Sequence, residues 1–181
     1  MKRLRWVVVA VLLASLLAFI VRGADEPSDP RLSPVASADR QLLPGFGETL
    51  ITVRSAQGSV FSWCLLLASS VEQRARGLMQ VTDPNLGGYS GMLFRFESDM
   101  DHIANFFYMR NTPMPLSIAF LDGAGGVVST ADMAPCDDVA GCPEYHAAAP
   151  YRATIEVPQG RLASLGIEPG ATITDQNTTC G

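Results

Sequence analysis

The sequence predicts a mainly β protein: a compact, antiparallel-rich sandwich or irregular barrel carrying two short helices. Three observations lead there. Apolar runs rich in β-branched and aromatic residues recur eight times after Glu48, most of them flanked by Gly, Pro, Asn, Asp or Ser. Two pairs of these runs are joined by short Gly-containing turns of hairpin type. Helical spacing appears only twice, and briefly.

The first two strands, Thr49 to Val53 and Val60 to Ala68, flank Ser55-Ala-Gln-Gly58-Ser and form a hairpin. In the second, Phe61, Trp63, Leu65 and Leu67 share one face and Val60, Ser62, Cys64 and Ala68 the other, so both faces are expected to be covered. Ser70-Val-Glu-Gln73 has the form of a capping box, which starts a helix of about two turns that Gly77 and Asp83-Pro84 end. Strands follow at Met92 to Phe96, Asn105 to Met109, Leu116 to Leu121, Val127 to Met133, Ala153 to Val157 and Thr172 to Thr174. Asp122-Gly-Ala-Gly-Gly126 closes a second hairpin. Arg152, Thr154 and Glu156 alternate with Ala153, Ile155 and Val157, which predicts a half-buried strand with its polar residues toward solvent. Gly160 to Leu165 holds at most a turn or two of helix before Gly166.

This domain is expected over residues 48–181. Ahead of it, residues 24–47 contain Pro27, Pro30, Pro34 and Pro44 without a sustained period, the composition of a stiff linker. Residues 1–23 begin with Lys2, Arg3 and Arg5 and continue through an uncharged run from Trp6 to Val21. Such a segment is an export signal cleaved near Gly23, or an uncleaved N-terminal anchor; both place the rest of the chain outside the cytoplasm, whether periplasmic, secreted or anchored facing outward. Membrane contact is then expected only through residues 1–23, if they are retained.

Hydrophobic residues at 48% and charged residues at 17% fit a packed domain and exclude a disordered one. Residues 1–23 hold four of the 13 cations and none of the 18 acids, which leaves the remainder at −9. That sign disfavours a nucleic-acid partner. Lys2 is the only lysine, so Schiff-base chemistry and a phosphate-loop lysine are both absent. The expected partner is a small molecule or a component of the cell envelope.

Four cysteines in an exported chain point to disulfides. Asp137, Asp138 and Gly141 let Cys136 curl back onto Cys142, which leaves Cys64 for Cys180. Chain entropy assigns roughly 2 to 2.5 kcal/mol to the short ring and roughly 5 to the long one. The spacing of six between Cys136 and Cys142 is unlike that of zinc thiolates, and Cys-X-X-Cys is absent. His102 and six methionines beyond residue 23 raise a copper reading, but they form no Met-X-Met or His-X-X-His clip and core packing accounts for them. No metal and no cofactor is expected.

Three segments are distinctive: Arg74-Ala-Arg-Gly-Leu-Met79, Gly91-Met-Leu-Phe94, and Met109-Arg-Asn-Thr-Pro-Met-Pro-Leu116 followed by Ile118, Phe120 and Asp122. With Pro135-Cys136, Cys142-Pro-Glu-Tyr145, Ile155-Glu156-Val157, Gly160 and Ile167 to Gly170, they resemble the prokaryotic family catalogued as domain of unknown function 192, over about residues 49–174. The resemblance implies a single β-rich domain, often exported, without an established activity. It also implies Asp where Ser117 and Ala171 stand here, so a catalytic role for either carboxylate in relatives would be missing from this chain.

Arg74 and Arg76 complement the dipole at a helix end; alternatively, they aim a planar fork at an anion. Asn111 and Thr112 close a turn fixed by Pro113 and Pro115, or they join Arg110 in a cleft beside the helix arginines. The candidate ligand-binding residues are therefore Arg76, Arg110, Asn111 and Thr112. Neither histidine has a nucleophile beside it, and no Gly-X-Ser-X-Gly elbow or His-Glu-X-X-His occurs. These patterns favour a non-enzymatic binding or accessory module of the envelope. An enzyme acting on an envelope polysaccharide or small anionic substrate is the alternative, and a structural module without a cleft the third reading.

Overall fold

A computed structural model of the protein describes residues 40–139 and 141–181. The export segment and most of the linker lie outside the described residues. Among the described residues nine strands follow one another: β1 (Gly47–Arg54), β2 (Val60–Ala68), β3 (Met92–Met100), β4 (Phe107–Tyr108), β5 (Leu116–Leu121), β6 (Val127–Met133), β7 (Glu144–Tyr145), β8 (Tyr151–Pro158) and β9 (Thr172–Asp175). Seven form one sheet in the order β6-β5-β8-β3-β2-β1-β9, while β4 and β7 make a separate two-stranded ribbon. All pairings are antiparallel except that of β2 with β3.

That parallel pair needs a crossover, and residues 69–91 supply it. The helix α1 (Val71–Arg76) opens it with the expected capping box: the Ser70 hydroxyl accepts from Gln73 N, and the Gln73 side chain accepts from Ser70 N. A 3-10 turn at Leu86–Gly88 buries Leu86 before the chain enters β3.

β2 is covered on both faces, as its composition predicts, and its two faces belong to two cores. Trp63 and Leu65 join Ile51, Val53, Leu93, Ile155 and Val157 in one cluster, capped by Leu162, Leu165 and Ile167 around the 3-10 turn Ala163–Leu165. The Trp63 indole donates to Leu165 O at 3.0 Å, which fixes that cap. The sheet curls around this core until its two ends meet at an isolated bridge between Gly126 and Thr172. Gly125 is required there, because at φ +83° a Cβ would lie 2.0 Å from Ile173 O. One bridge is not a ladder, so the architecture is sandwich-like and not a closed barrel.

The opposite face buries Leu66, Met92, Phe94, Ile118, Phe120 and Tyr151 beneath α1, the β4–β7 ribbon and the segment before β1. Here the structure corrects two expectations. Residues 40–46, assigned by their prolines and polarity to the linker, already pack on the domain: Phe46 is buried and Gln41 N donates to Gly87 O. Of the polar residues of β8 only Arg152 is exposed, since Thr154 and Glu156 are buried on the sheet face that the ribbon and α1 cover.

Both expected disulfides are present, each with Cα atoms 5.9 Å apart. Cys64–Cys180 ties the C-terminal tail to β2. Glu48 reinforces the attachment by accepting from Cys180 N at 3.0 Å and from the Tyr89 hydroxyl at 2.7 Å. Burial, together with that carboxylate, pushes the Tyr89 phenol up to about 12. Among the described residues, no helix is long and apolar enough to cross a membrane.

Candidate ligand-binding site

A cleft of about 290 Å³ opens between α1 and the β4 segment, above the second sheet face. One wall is the last turn of α1 with Gly77, Leu78 and Met79. At Gly77, φ +46°, a Cβ would stand 3.1 Å from the Phe94 ring, so glycine allows the helix end to rest on the sheet. Arg74 Nη1 donates to the carbonyl oxygens of Ser69 and Arg95, and its guanidinium lies over Phe96, 5.1 Å from the ring centre. Arg76 Nη2 donates to Pro44 O at 2.6 Å and stacks over Phe46 at 4.2 Å. The helix arginines are thus pinned by backbone oxygens and rings and not simply solvated.

The facing wall runs from Asn105 to Met109 and includes Thr112. Asn105 is fixed by its side-chain donation to Asp101 O at 2.8 Å, and pairing of Phe107 with Tyr145 holds the ribbon. Gln80 N donates to Asn111 O at 2.9 Å and joins the two walls. Phe94, Phe96, Leu116, Tyr151 and Glu156 form the floor. Edge-to-face contacts of Phe107 with Phe94 and of Phe120 and Phe96 with Tyr151, at 5.2 to 5.6 Å, make that floor rigid.

Glu156 is the unusual member. Its side chain projects from the middle of β8, between Met92 and Ile118 on neighbouring strands, and the residue is 5% exposed. Among the described residues its carboxyl has neither a hydrogen-bond partner nor an ion pair. Burial alone raises its pKa to about 8, so at neutral pH it is mostly an uncharged acid with one O–H donor and a free acceptor oxygen. The Tyr151 hydroxyl shares the floor; burial raises its pKa as well, and it too has no hydrogen-bond partner among the described residues. Neither group is sealed from the cleft: the fully buried side-chain atoms without a partner include Thr154 Oγ1 and His102 Nδ1 but no oxygen of Glu156 or Tyr151, so both are unpaired within the described residues yet open to whatever fills the cleft.

Of the four residues expected to bind a ligand, Arg76 and Thr112 line this cleft, and Arg110 and Asn111 do not. Thr112 is buried, with its hydroxyl 3.4 Å from Arg110 O. Asn111 adopts φ +58° in the turn and contributes its carbonyl to the bond between the walls. Arg110 borders a separate depression beside Cys142 and Glu144, where its Nε meets Asp138 Oδ1 at 2.7 Å. Both partners are more than half exposed, which makes that pair worth at most about 1 kcal/mol.

The two positions where relatives are expected to carry Asp lie elsewhere. The Ser117 hydroxyl bonds to Asp132 and accepts from Gly160 N, while Ala171 is buried in the first core. His146 Nδ1 lies 3.1 Å from His102 O, outside the cleft. Among the described residues, one set of metal-ligating side chains converges, Glu48 with Cys64 and Cys180, and its two sulfurs are joined to each other. Sequence reasoning missed Glu156 and Tyr151. The available signal was an acid and a threonine at alternate positions of a strand whose ends are apolar.

Fold and site together define a β-rich domain with a cleft set into a sheet face and a buried acid at its floor. Residues 52–174 match the family model DUF192, described as "Uncharacterized ACR, COG1430", and the chain belongs to that family. Among curated proteins no relative matches. Several solved structures resemble it, including the following two. A protein of unknown function from Novosphingobium aromaticivorans DSM 12444 is 30% identical at TM-score 0.61, with 76% of this chain and 94% of that one covered. A chain from Sinorhizobium meliloti 1021 titled "putative transcription regulator" is 22% identical at TM-score 0.58, covering 72% and 95%; at that identity the likeness is one of fold alone.

Proposed function

We propose that the protein is an exported, non-enzymatic binding or accessory module of the cell envelope whose cleft takes a small molecule. The observation that carries this reading is Glu156: a buried carboxyl with no protein partner, open to a cleft between two braced walls. The Glu156 oxygens keep access to the cleft, so a ligand that bonds to them replaces water there, for a net gain of about 0.5 to 1.5 kcal/mol per hydrogen bond. Export is supported by the basic and apolar start of the chain and by two disulfides, which persist in oxidising compartments.

A polysaccharide hydrolase is the alternative, since an uncharged glutamic acid is the form a general acid takes. Such enzymes use a second carboxylate across the bond being broken. Among the residues lining this cleft Glu156 is the only carboxylate, which favours binding over hydrolysis. Thermal shift of the full chain against sugars, nucleotides and organic acids tests the reading. At least one class is expected to raise the melting temperature of the parent and not that of Glu156→Leu. No shift from any class, or equal shifts in both proteins, overturns it.

A further inference from the structure

The two arginines at this cleft differ from those bordering the other depressions described for the domain. Arg95 and Arg152, beside Asp122 and Gly123, are ion-paired with Asp175 and Asp99, and Arg110 is paired with Asp138. Arg74 and Arg76 line the cleft with no carboxylate at ion-pair distance among the described residues; their partners are backbone oxygens and aromatic rings. Each spends one terminal nitrogen on those oxygens; the Arg74 guanidinium lies over Phe96, which lines the cleft, and that of Arg76 over Phe46, which does not. Glu72, in the first turn of the same helix, feels the charge of Arg74 without pairing to it, so in a chain whose residues from 24 onward sum to −9 the two guanidinium groups remain free of a direct carboxylate contact among the described residues.

The floor has the opposite character. It offers Glu156 and Tyr151 as unpaired, uncharged hydrogen-bonding groups among apolar walls that include Leu78, Phe106 and Met109. A second negative charge could not be seated there without a large desolvation loss. The cleft of about 290 Å³ lies at the small end of ligand sites, the size for one ring.

We propose that the cleft takes a small organic anion, its charged group held by Arg74 and Arg76 and an uncharged hydroxyl or carbonyl oxygen bonded to Glu156 and Tyr151. This rests on the binding reading above and adds the chemistry of the ligand. The groups facing the ligand are Arg74 and Arg76 from α1, Tyr108 from β4, and Tyr151 and Glu156 from β8. Ionisation of Glu156 would repel the anion, so binding weakens as the solution becomes alkaline.

Calorimetric titration of the full chain at pH 6.5 with 4-hydroxybenzoate, its methyl ester and benzoate tests the proposal. The acid is expected to bind about tenfold or more tighter than the ester, because the ester cannot form a charge-assisted bidentate pair. It should also bind more tightly than benzoate, which has nothing to offer the floor. Arg74→Gln/Arg76→Gln should erase the difference between acid and ester, and Glu156→Leu the difference between the acid and benzoate. Glucuronate against glucose, measured in parallel, distinguishes a sugar acid from an aromatic acid as the source of the same chemistry. If either variant fails to fold, the comparison on the parent protein decides alone. Acid and ester binding equally, or no binding by any of these acids, overturns the inference. In both cases the binding reading still stands if another class in the thermal-shift panel depends on Glu156, so the two failures are distinguishable.

Discussion

Glu156 shows how a strand's periodicity predicts which residues share a face without saying what covers that face. Arg152, Thr154 and Glu156 alternate with apolar neighbours, and Arg152 is indeed exposed. The other two lie beneath α1 and the ribbon, whose positions depend on pairings remote in sequence. Knowledge of register would have revealed the burial, because Thr154 lies between Phe94 and Phe120, and Glu156 between Met92 and Ile118. The consequence for stability has a definite sign. Below pH 4.5 the carboxyl is protonated in both folded and unfolded chains; between 4.5 and about 8 the unfolded chain ionises while the folded one keeps its proton. Stability should therefore fall as pH rises through that window, by up to about 1.4 kcal/mol per pH unit from this group. Urea titrations at pH 5 and pH 8 should show the decline in the parent and a shallower one in Glu156→Gln; equal slopes would remove the buried acid from the account. Gly91 bears on the same spot. A Cβ there would meet Glu156 O at 2.5 Å and Val157 Cγ1 at 2.8 Å, so Gly91→Ala is expected to lower unfolding free energy by about 1 to 3 kcal/mol in the same titration.

At the scale of elements, signals carried within a few residues were legible and signals carried by pairing were not. β2, β5 and β6 have the bounds expected from composition, and the capping box that starts α1 is a four-residue pattern. By contrast β7 is two residues long and exists only because Glu144 and Tyr145 pair with Tyr108 and Phe107. The expected strand from Asn105 to Met109 shrinks to β4, since Asn105 is drawn into a turn by donating to Asp101 O through both its backbone and its side chain. Ser70→Ala should cost about 1 kcal/mol by removing the cap of α1. Because α1 is a wall of the cleft, amide exchange should quicken in residues 71–79 before the rest of the domain responds. The disulfides rank by the chain they enclose. Breaking Cys64–Cys180, with a sequence separation of 116, should cost about 5 kcal/mol, and breaking Cys136–Cys142, with a separation of 6, about 2. Thermal denaturation of the paired Cys→Ser variants checks that order. The smaller ring also bears on the cleft, because Cys136 bridges to both Arg110 and Thr112.

For the whole molecule, a curled sheet with two cores accounts for why so many strands lack a polar face. β5 is buried at every position, since one of its sides faces the first core and the other lies under the ribbon. That double burial leaves few places for a polar group to reach a ligand, and the lining of the cleft beside α1 includes an acid and two arginines. Fractionation of a tagged chain should recover the domain outside the cytoplasm, with non-reducing peptide mapping giving Cys136 linked to Cys142 and Cys64 to Cys180. Recovery from the cytoplasm with four free thiols would contradict the proposed location. The central claim is that Glu156 stands in the cleft as an unpaired, proton-bearing acid, and its own titration tests this most directly. Carbon-13 NMR of the Glu156 carboxyl in the intact protein, followed from pH 4 to pH 10, should give a midpoint near the expected value of about 8. A midpoint near the ordinary 4.5 would mean that the carboxyl is hydrated or paired, and would contradict the account.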